Sequence, residues 1–456
     1  MTGWVQLTKK VRSLITEGDQ RSVKAKKNIL ASFLVKGFNI AVGFLLVPLT
    51  IDYIDKSLYG IWLTLSSIVT WFRFFDVGLG NGLKNKFAEA LAKGDRHLAR
   101  VYVSTTYGVL TLICGGMALL FFIVNPFLNW AEILEAPAHL AGELSAVAVI
   151  VFTSFCMNFV LNLLNTLVTA DQRPSLVGIF QFIINLITLI AIFILTNFTQ
   201  GSLLNLAWVL GGVPVLVMAV AGIYFFAKDY RDFLPSFKLM DFRYFRDLIS
   251  LGAQFFVIQI IGIILFSTSN MIITKVLGPA EVTTYNVAYK YFGIVTQLFT
   301  IVSTPYWAAF TEAFHKEERS WIRDNMRKLI RVWQLAAALA VVMLLISPWL
   351  VPLWVKGVTL PWPLAIMMAL YTVLLTWGTP FVTFINGVGK VRLQLVVSLF
   401  GGILYIPLAI LLTQYFGLGS GGVITATILC LSFGYVFAPI QYKKIIGQTA
   451  NGIWNK

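Results

Sequence analysis

The 456-residue sequence is poor in charged side chains, in histidine and in cysteine. Only 12% of its residues are Asp, Glu, Lys or Arg, against about 25% in a soluble domain. The three histidines lie far apart, so no metal or catalytic cluster is expected. The three cysteines, Cys114, Cys156 and Cys430, fall within apolar runs and are interpreted as small core side chains, not as disulfide partners or metal ligands. No Walker-type phosphate loop occurs, so neither ATP nor another cofactor is expected.

Long apolar runs take the place of the missing charge. Hydrophobic residues make up 58% of the chain, and its mean hydropathy is +0.80. A helix needs about 20 apolar residues to cross a bilayer, and such runs recur from residue 29 almost to the end. The net charge of +15 would suit a nucleic-acid partner, but the basic residues lie in short clusters between apolar runs. The composition therefore predicts an all-α integral membrane protein in contact with lipid, with no nucleic-acid partner.

The runs predict about twelve transmembrane helices, and eleven or thirteen are compatible because two short hydrophobic hairpins are ambiguous. The predicted spans are 29–52, 58–81, 101–125, 142–168, 175–198, 203–227, 248–274, 283–307, 328–352, 360–385, 391–415 and 421–441. Basic residues concentrate in every second loop, whereas the opposite loops contain only Lys56, Lys275 and Lys356. Basic loops stay in the cytoplasm. This alternation predicts an even number of spans with both termini cytoplasmic.

Residues 1–28 are basic, and no short apolar segment with a cleavage site precedes the first span, so no signal peptide is expected. Trp4, Leu7, Val11 and Leu14 recur at helical spacing, which is typical of an amphipathic helix on the inner leaflet. A disordered basic tail is the other interpretation. The predicted organisation is a cytoplasmic segment 1–28, a first lobe 29–227, a cytoplasmic linker 228–247, a second lobe 248–442 and a cytoplasmic tail 443–456.

An internal repeat relates the two halves. Residues 87–100 align without gaps on 310–323, with six identical residues and with Asp95 opposite Glu318. A chance likeness between two amphipathic linkers is the weaker interpretation. Each copy follows the second span of its half, and six spans per repeat is an even number. The halves are therefore predicted to have the same topology, as two six-helix lobes related by a pseudo-two-fold axis along the membrane normal.

Polar side chains repeat at helical spacing within five predicted spans. The five stripes are Ser32, Lys36, Asn39 and Gly43; Ser66, Thr70 and Arg73; Asn158, Asn162, Asn165 and Thr169; Asn286, Lys290, Gly293, Gln297, Thr300 and Thr304; and Thr372, Thr376, Thr379, Thr383 and Asn386. In lipid these groups are costly, so they should face other helices or water. Hydrogen bonding between helices is one interpretation of any single stripe. Five stripes spread over both halves favour a shared hydrated cavity.

Four charged residues lie well inside predicted spans: Lys36, Arg73, Asp76 and Lys290. Asp76 is interpreted first as a partner of Arg73, three residues away, and second as an ion-coupling carboxylate. Lys36 and Lys290 have no acid nearby on their own helices, and snorkelling to an interface is the alternative to a functional role. The positive excess favours an anionic ligand such as phosphate or pyrophosphate. The predicted substrate-binding residues are Lys36, Arg73, Lys290, Asn39, Asn286 and Gln297, with no catalytic residue and no metal ligand.

Three segments around the second span carry a family resemblance. They are SLYGIWLTLSS at 57–67, WFRFFDVGLGNG at 71–82 and KNKFAEALAKGD at 84–95, and a later loop reads GVGKVR at 387–392. Together with the span layout, they closely resemble the bacterial polysaccharide transporter family. This family contains the O-antigen and capsule repeat-unit flippases of the multidrug/oligosaccharidyl-lipid/polysaccharide exporter superfamily. The likeness covers the whole span layout, but its specific motifs lie mainly in residues 57–95.

The resemblance implies two lobes around a central cavity that opens alternately to each side of the bacterial inner membrane. It implies an undecaprenyl-pyrophosphate-linked oligosaccharide as substrate, for surface polysaccharide such as lipopolysaccharide O-antigen. A polysaccharide polymerase and glycosyltransferases would be further partners. Cationic cavity residues on the first, second and eighth spans occur in related flippases, and Lys36, Arg73 and Lys290 fit that description. Moving such a lipid breaks no covalent bond, so an enzyme is not expected.

Three other functions are alternatives to this one. A cation-coupled multidrug exporter of the same superfamily should favour acidic residues in its cavity, whereas this chain has an excess of basic ones. A peptidoglycan-precursor lipid flippase would also use a cationic cavity. A membrane-embedded glycosyltransferase or polymerase should show a large outer loop or acidic residues at a membrane face, and the outer loops here are short.

The predicted topology can be tested with alkaline phosphatase fusions, because this enzyme folds only outside the cytoplasm. A fusion after residue 130 should be active, and fusions after residue 95 or 238 should be silent. Activity at residue 238 would contradict the parallel arrangement of the two halves.

Overall fold

The computed structural model of the chain describes residues 20–455 apart from 77, 172, 246–247, 249–266 and 305. The described segments contain helices and connecting turns but no β-strand. The α-helices are α1 (Gln20–Ile54), α2 (Lys56–Thr70), α3 (Leu79–Ala92), α4 (Arg96–Val124), α5 (Ala141–Leu161), α6 (Leu163–Ala170), α7 (Pro174–Phe198), α8 (Leu203–Ala227), α9 (267–277), α10 (Pro279–Ser303), α11 (Tyr306–His315), α12 (Arg319–Trp354), α13 (Trp362–Gly387), α14 (Arg392–Ile410), α15 (Ser420–Cys430) and α16 (Ala438–Ile446), apart from one four-residue turn at Trp130–Ile133.

Eight helical stretches of the described chain are long and apolar enough to cross a membrane. They are Val35–Ile54, Arg96–Phe127, Ala138–Ala170, Ser175–Phe198, Leu203–Ala227, Arg319–Trp354, Trp362–Gly387 and Arg392–Tyr415. Helices Ser420–Cys430 and Gly434–Ile446 meet at 44° and would make a ninth as one broken span. Large apolar side chains such as Phe198 and Leu353 are about four-fifths exposed, at 81% and 80%, as expected for a surface that faces lipid. The prediction of an all-helical, multi-pass membrane protein is confirmed.

The second predicted span, 58–81, differs from a continuous helix. Helix α2 ends at Thr70, a 3₁₀ turn follows over Trp71–Asp76, and α3 begins at Leu79. Gly78 precedes α3 with a φ of 81°, a left-handed conformation that glycine adopts at little cost and that interrupts a right-handed helix. The seventh predicted span, 248–274, lies largely outside the described residues, and its prediction is not tested.

Helix packing joins the elements into one bundle. In the first half, α1 packs along α7, α5 along α8, and α4 against α3 and α5. In the second half, α13 packs against α10, α12 and α15, and α14 against α15. Fully buried aromatic side chains fill these contacts, including Phe152, Tyr291 and Tyr405. The halves meet where α2 packs against α10.

The basic segments cluster at one end of the bundle. Arg96 forms an ion pair with Asp232 at 2.7 Å, and Arg173 forms one with Asp229 at 2.6 Å. These bonds tie the segment after α8 to the first turn of α4 and to the turn before α7. Nearby on α3, Lys93 and Lys86 donate to Glu89 and hold the pKa of this carboxyl down at about 2. The first-half loops that the charge pattern predicts to be cytoplasmic therefore lie together, and this end is called the basic end.

The sequence repeat reappears in the backbone, 223 positions apart. Helices α3 and α11 end at the aligned residues 92 and 315, and α4 and α12 begin at the aligned residues 96 and 319. Between them, Gly94 and Glu317 both have left-handed φ values, of 74° and 59°. Each copy closes its helix with the same pair of backbone bonds. In the first copy, the N–H groups of Asp95 and Gly94 donate to Ala90 O and Leu91 O, both at 3.0 Å. In the second, those of Glu318 and Glu317 donate to Ala313 O at 2.9 Å and to Phe314 O at 3.1 Å. This is the Schellman geometry of a helix C-terminus, so the aligned segments share their local structure.

The shared left-handed position predicts opposite effects of two substitutions. Gly94→Ala should destabilise the protein by about 1 kcal/mol, because a Cβ is strained at this φ. Glu317→Gly should stabilise it by up to about 1 kcal/mol, because it removes that strain from the second copy. Thermal unfolding of the purified protein measures both changes. Gly115→Ala is the control, because its Cβ would enter open space and its φ is not positive. An unchanged unfolding temperature for Gly94→Ala would contradict the repeat geometry.

Candidate functional site

Hydrogen bonds join the two halves where α2 runs beside α9 and α10, at the end predicted to face outward. The buried hydroxyls of Thr64 and Thr274 lie 2.6 Å apart, and Thr283 Oγ1 donates to Lys56 O at 2.6 Å. Gly60 allows the close approach, since a Cβ at this position would lie 1.8 Å from Pro279 O. The contact surface formed by these residues is called the α2–α10 seam.

Three amides and hydroxyls extend the seam towards the middle of the bundle. Asn286 Nδ2 donates to Asn270 Oδ1 at 2.8 Å, and Asn270 Nδ2 donates to Ser67 Oγ at 2.7 Å. The chain of bonds runs from α10 through α9 to α2. A membrane interior contains no water to bond to these amides and hydroxyls. They therefore stay satisfied only by bonding to one another.

Two further contacts close the same end. Lys275 Nζ forms an ion pair with Glu135 at 2.8 Å and donates to Glu132 O at 2.8 Å. The indole of Trp354 stacks on Phe44, with ring centroids 3.6 Å apart, and its Nε1–H donates to Phe44 O at 2.9 Å. At this end, the described residues of the two halves are thus held by hydroxyl, amide, charged and aromatic groups.

Below the seam, a cavity of about 260 Å³ separates α1 from α10. Its lining residues, Lys36, Asn39, Ile40, Thr296, Gln297, Thr300 and Ile301, define the Lys36 cavity. Lys36 is exposed there, while Asn39 is fixed by its neighbours on α7: its Nδ2 donates to Gly178 O at 3.2 Å, and its Oδ1 accepts from Asn185 at 3.0 Å. Both interpretations of the polar stripe therefore apply to Asn39. Its side chain forms hydrogen bonds between helices, and it also lines the cavity.

A second cavity of about 170 Å³ adjoins the first, because Thr296 and Gln297 line both. The remaining lining residues of this Lys290 cavity are Tyr289, Lys290, Phe292, Gly293, Met368, Tyr371, Thr372 and Leu375. Lys290 Nζ donates to the Tyr59 hydroxyl on α2 at 3.3 Å. A neutral hydroxyl leaves the positive charge of Lys290 available to a ligand.

The two adjoining cavities have a one-sided charge. Among the described residues, their linings include two lysines and no carboxylate. Hydroxyl and amide side chains supply further donors on α10. No group of three or more His, Cys, Asp or Glu side chains that could hold a metal ion occurs in the described part of the chain. The arrangement can hold an anion by charge and hydrogen bonding.

Of the six predicted site residues, Lys36, Asn39 and Gln297 line one cavity, and Lys290 lines the cavity beside it. The structure places Arg73 and Asn286 elsewhere. Arg73 is exposed on the 3₁₀ turn after α2 and is not among the residues that line the two lysine cavities. Asn286 bonds within the seam instead of lining these cavities. The side chain of Asp76 lies outside what the structure describes, so both interpretations of Asp76 stay predictions.

The polar stripe on the tenth predicted span lines a further cavity. The aromatic residues of this cavity were not predicted from the sequence. Thr379, Thr383 and Asn386 on α13 line it together with Tyr371 on the same helix and with Trp307 and Tyr435 from other elements. The stripe on the fourth span behaves differently, since Asn162 Nδ2 donates to Asn158 on its own helix at 3.0 Å. Helical spacing identified both polar faces, but it gave no information about the aromatic residues opposite them.

Comparison with known proteins adds independent findings. Residues 25–311 match the family described as polysaccharide biosynthesis protein. A Salmonella typhi protein named "Putative O-antigen transporter" is 20% identical over 285 residues, which are 62% of this chain and 64% of that protein. The chain thus matches just under two thirds of the length of that relative. A Yersinia pseudotuberculosis protein named "Putative O-antigen export protein" is 18% identical over 371 residues, which are 78% of this chain and 81% of the relative.

Two solved structures share the fold. The lipid II flippase MurJ in an inward closed conformation has a TM-score of 0.69 and 13% identity, with 91% of this chain and 87% of that one covered. An inward-facing multidrug resistance transporter of the MATE family, within the MOP superfamily, has a TM-score of 0.66 and 13% identity, with 93% and 100% covered. At this identity the likeness shows the fold alone.

The seam predicts a disulfide between its two halves. Thr64→Cys combined with Thr274→Cys, with the three buried native cysteines replaced by alanine, should cross-link under mild oxidation, because the wild-type hydroxyls lie 2.6 Å apart. After cleavage at a protease site inserted in the linker, the halves should then run as one species on a denaturing gel until a reductant is added. Each single-cysteine variant is the control and should separate. Separation of the halves in the oxidised double variant would contradict the seam.

Proposed function

Because the chain belongs to the polysaccharide biosynthesis protein family, we propose that it is a flippase for undecaprenyl-pyrophosphate-linked oligosaccharides. It moves each repeat unit from the inner to the outer leaflet of the bacterial cytoplasmic membrane, for surface polysaccharide such as O-antigen. The observation that carries the proposal is the pair of adjoining cavities in which Lys36 and Lys290 meet no carboxylate among the described residues. The names of the Salmonella and Yersinia relatives support the same substrate class.

The physical task explains why such a cavity is needed. A pyrophosphate and a sugar chain cannot cross hydrocarbon unaided, because their polar groups would lose their hydrogen bonds to water. Lys36 and Lys290 replace part of that hydration with charge, and the Thr and Gln side chains of α10 provide hydroxyl and amide partners. At an intermediate dielectric, one close charge contact is worth about a few kcal/mol. The prenyl tail stays in lipid, and no covalent bond changes, so the protein acts as a transporter and not as an enzyme.

The proposed architecture has twelve spans in two six-helix lobes, 29–227 and 248–442, joined by a cytoplasmic linker at 228–247. Segments 1–28 and 443–456 are cytoplasmic, and the basic end faces the cytoplasm. The α2–α10 seam closes the outer side, so the lysine cavities load from the inner leaflet in this state. Transport then requires the seam to open while the basic end closes. Arg73 and Asn286 are retained as proposed substrate contacts in other states of this cycle, and Asp76 as a proposed site of ion coupling.

The charge of the cavities also bears on the alternative substrates. A multidrug exporter that collects cationic drugs would gain nothing from two lysines without a carboxylate. A peptidoglycan-precursor lipid also carries a pyrophosphate, and the lysine cavities would suit it equally. The repeat-unit substrate is preferred on the family match, and a polymerase and glycosyltransferases remain proposed partners of the pathway. Measuring surface polysaccharide and peptidoglycan synthesis in cells that lack the gene distinguishes the two lipids.

Removing the cavity charges should block export while leaving the protein in the membrane. Lys36→Gln and Lys290→Gln should each reduce surface polysaccharide about tenfold or more, because one lost charge contact of about 1.4 kcal/mol already changes affinity tenfold. Lipid-linked repeat units should accumulate on the inner leaflet. Surface polysaccharide, repeat-unit accessibility and protein level are measured in cells that lack the native gene. Arg73→Gln is measured in the same assay.

Lys356→Gln is the matched control, because Lys356 is exposed and lies outside the described lysine cavities. It should export normally. Normal export by both Lys36→Gln and Lys290→Gln would contradict the proposed anion site. Intact surface polysaccharide with arrested peptidoglycan synthesis in cells that lack the gene would instead identify the peptidoglycan precursor as the substrate.

A further inference from the structure

A third cavity, of about 260 Å³, lies within the second half of the chain. It is bordered by α13, by α15 and the segment after it, and by Trp307 at the start of α11. Its lining residues are Trp307, Tyr371, Leu374, Leu375, Gly378, Thr379, Val382, Thr383, Asn386, Ile428, Leu431, Gly434 and Tyr435, and it is called the Trp307 cavity. Nothing in the proposed lysine site accounts for its aromatic and amide groups.

The wall opposite α13 is built from an irregular helix. Residues Phe433–Phe437 form a π-helix, which is rare and often found at functional sites. Gly378 allows α13 to touch it, since a Cβ there would lie 2.5 Å from Gly434 O. Trp377 Nε1–H donates to Tyr435 O at 3.3 Å, and the Tyr435 hydroxyl donates to Ile428 O. These bonds hold the aromatic wall in place.

Three polar groups around this cavity have no hydrogen-bond partner among the described residues. They are the hydroxyl of Thr383, the side-chain amide of Asn386 and the indole N–H of Trp307, whose side chain is 45% exposed. Thr379, one turn earlier on α13, differs because its hydroxyl already donates to Leu375 O at 2.8 Å. Apolar walls with a few convergent polar groups are the usual composition of a small-molecule site.

We propose that the Trp307 cavity binds a neutral pyranose ring of the transported oligosaccharide. A sugar offers apolar C–H faces to the aromatic and aliphatic walls, and its hydroxyls bond to Asn386, Thr383 and Trp307. A prenyl chain would match the apolar walls but would offer no hydrogen-bond partner to these three groups. The volume suits one substituted six-membered ring, since a cavity of roughly 150 Å³ already holds benzene. The inference rests on the proposed function. It adds Asn386, Thr383 and Trp307 as the residues that bind the sugar.

The position of the cavity relative to the lysines supports the same ligand. Tyr371 and Leu375 line both the Trp307 cavity and the Lys290 cavity. A ring in the first can therefore be joined covalently to a pyrophosphate in the second. The Lys36, Lys290 and Trp307 cavities form a continuous series, with cationic groups at one end and aromatic, hydroxyl and amide groups at the other.

The test compares two lipids on purified protein in nanodiscs. One is the lipid-linked oligosaccharide extracted from the source bacterium, and the other is undecaprenyl pyrophosphate, which has no sugar. Asn386→Leu and Thr383→Val should weaken binding of the first about tenfold, because each removes one sugar hydrogen bond. Their binding of the second should be unchanged. Thr425→Val is the matched control and should change neither, since the Thr425 hydroxyl donates to Gly421 O within α15 at 2.8 Å and Thr425 does not line the cavity.

The remaining outcomes separate the two proposals. Lys290→Gln should weaken both lipids, because both carry the pyrophosphate. Failure of the wild-type protein to bind either lipid would overturn the proposed function itself. Binding of the glycosylated lipid that Asn386→Leu and Thr383→Val leave unchanged, in variants that unfold at the wild-type temperature, would overturn the sugar site alone. Tighter binding of both lipids by Asn386→Leu would assign the cavity to the prenyl chain instead.

Discussion

The arrangement of the cavities depends on the hydroxyl contact between Thr64 and Thr274. In a membrane interior no water competes for these groups, so two buried hydroxyls 2.6 Å apart are each other's partners. The contact is possible only because Gly60 lets α2 approach Pro279 closely. With the halves joined there, the Lys36 cavity lies between α1 and α10. This short polar contact is thus one of several that join the halves beside the two lysine cavities.

Much of the fold follows from the sequence because lipid imposes simple rules. A span needs a minimum apolar length, and backbone groups in lipid must be satisfied within a helix. Eight predicted spans therefore coincide with helices that the structure describes as apolar and long enough. The repeat could also be read, since 87–100 and 310–323 share a helix end, a left-handed residue and a helix start. The break after Thr70 was not predicted, because one glycine at a positive φ leaves little trace in hydropathy.

The site was less accessible to sequence reasoning, because helical spacing gives the face of a residue but not the partner across from it. Lys36 and Gln297 share a cavity although 261 positions separate them, and Asn39 joins them there. Asn286 has the same spacing as Lys290 on the same stripe, yet it bonds to Asn270 in the seam. The aromatic wall around Trp307 cannot be predicted from helical spacing, since its residues come from three separate elements. Pairings of this kind depend on the tertiary packing of the helices.

The seam also has a reciprocal pattern when the repeat is taken into account. Lys56 and Gly60 on α2 are equivalent, 223 positions on, to Pro279 and Thr283 on α10. Lys56 accepts from Thr283, the counterpart of Gly60, while Gly60 lies against Pro279, the counterpart of Lys56. This is the pattern of an isologous interface, in which a two-fold axis passes through the contact. Rotation about such a contact displaces the two halves equally and in opposite senses, so neither half serves as a stationary frame for the other.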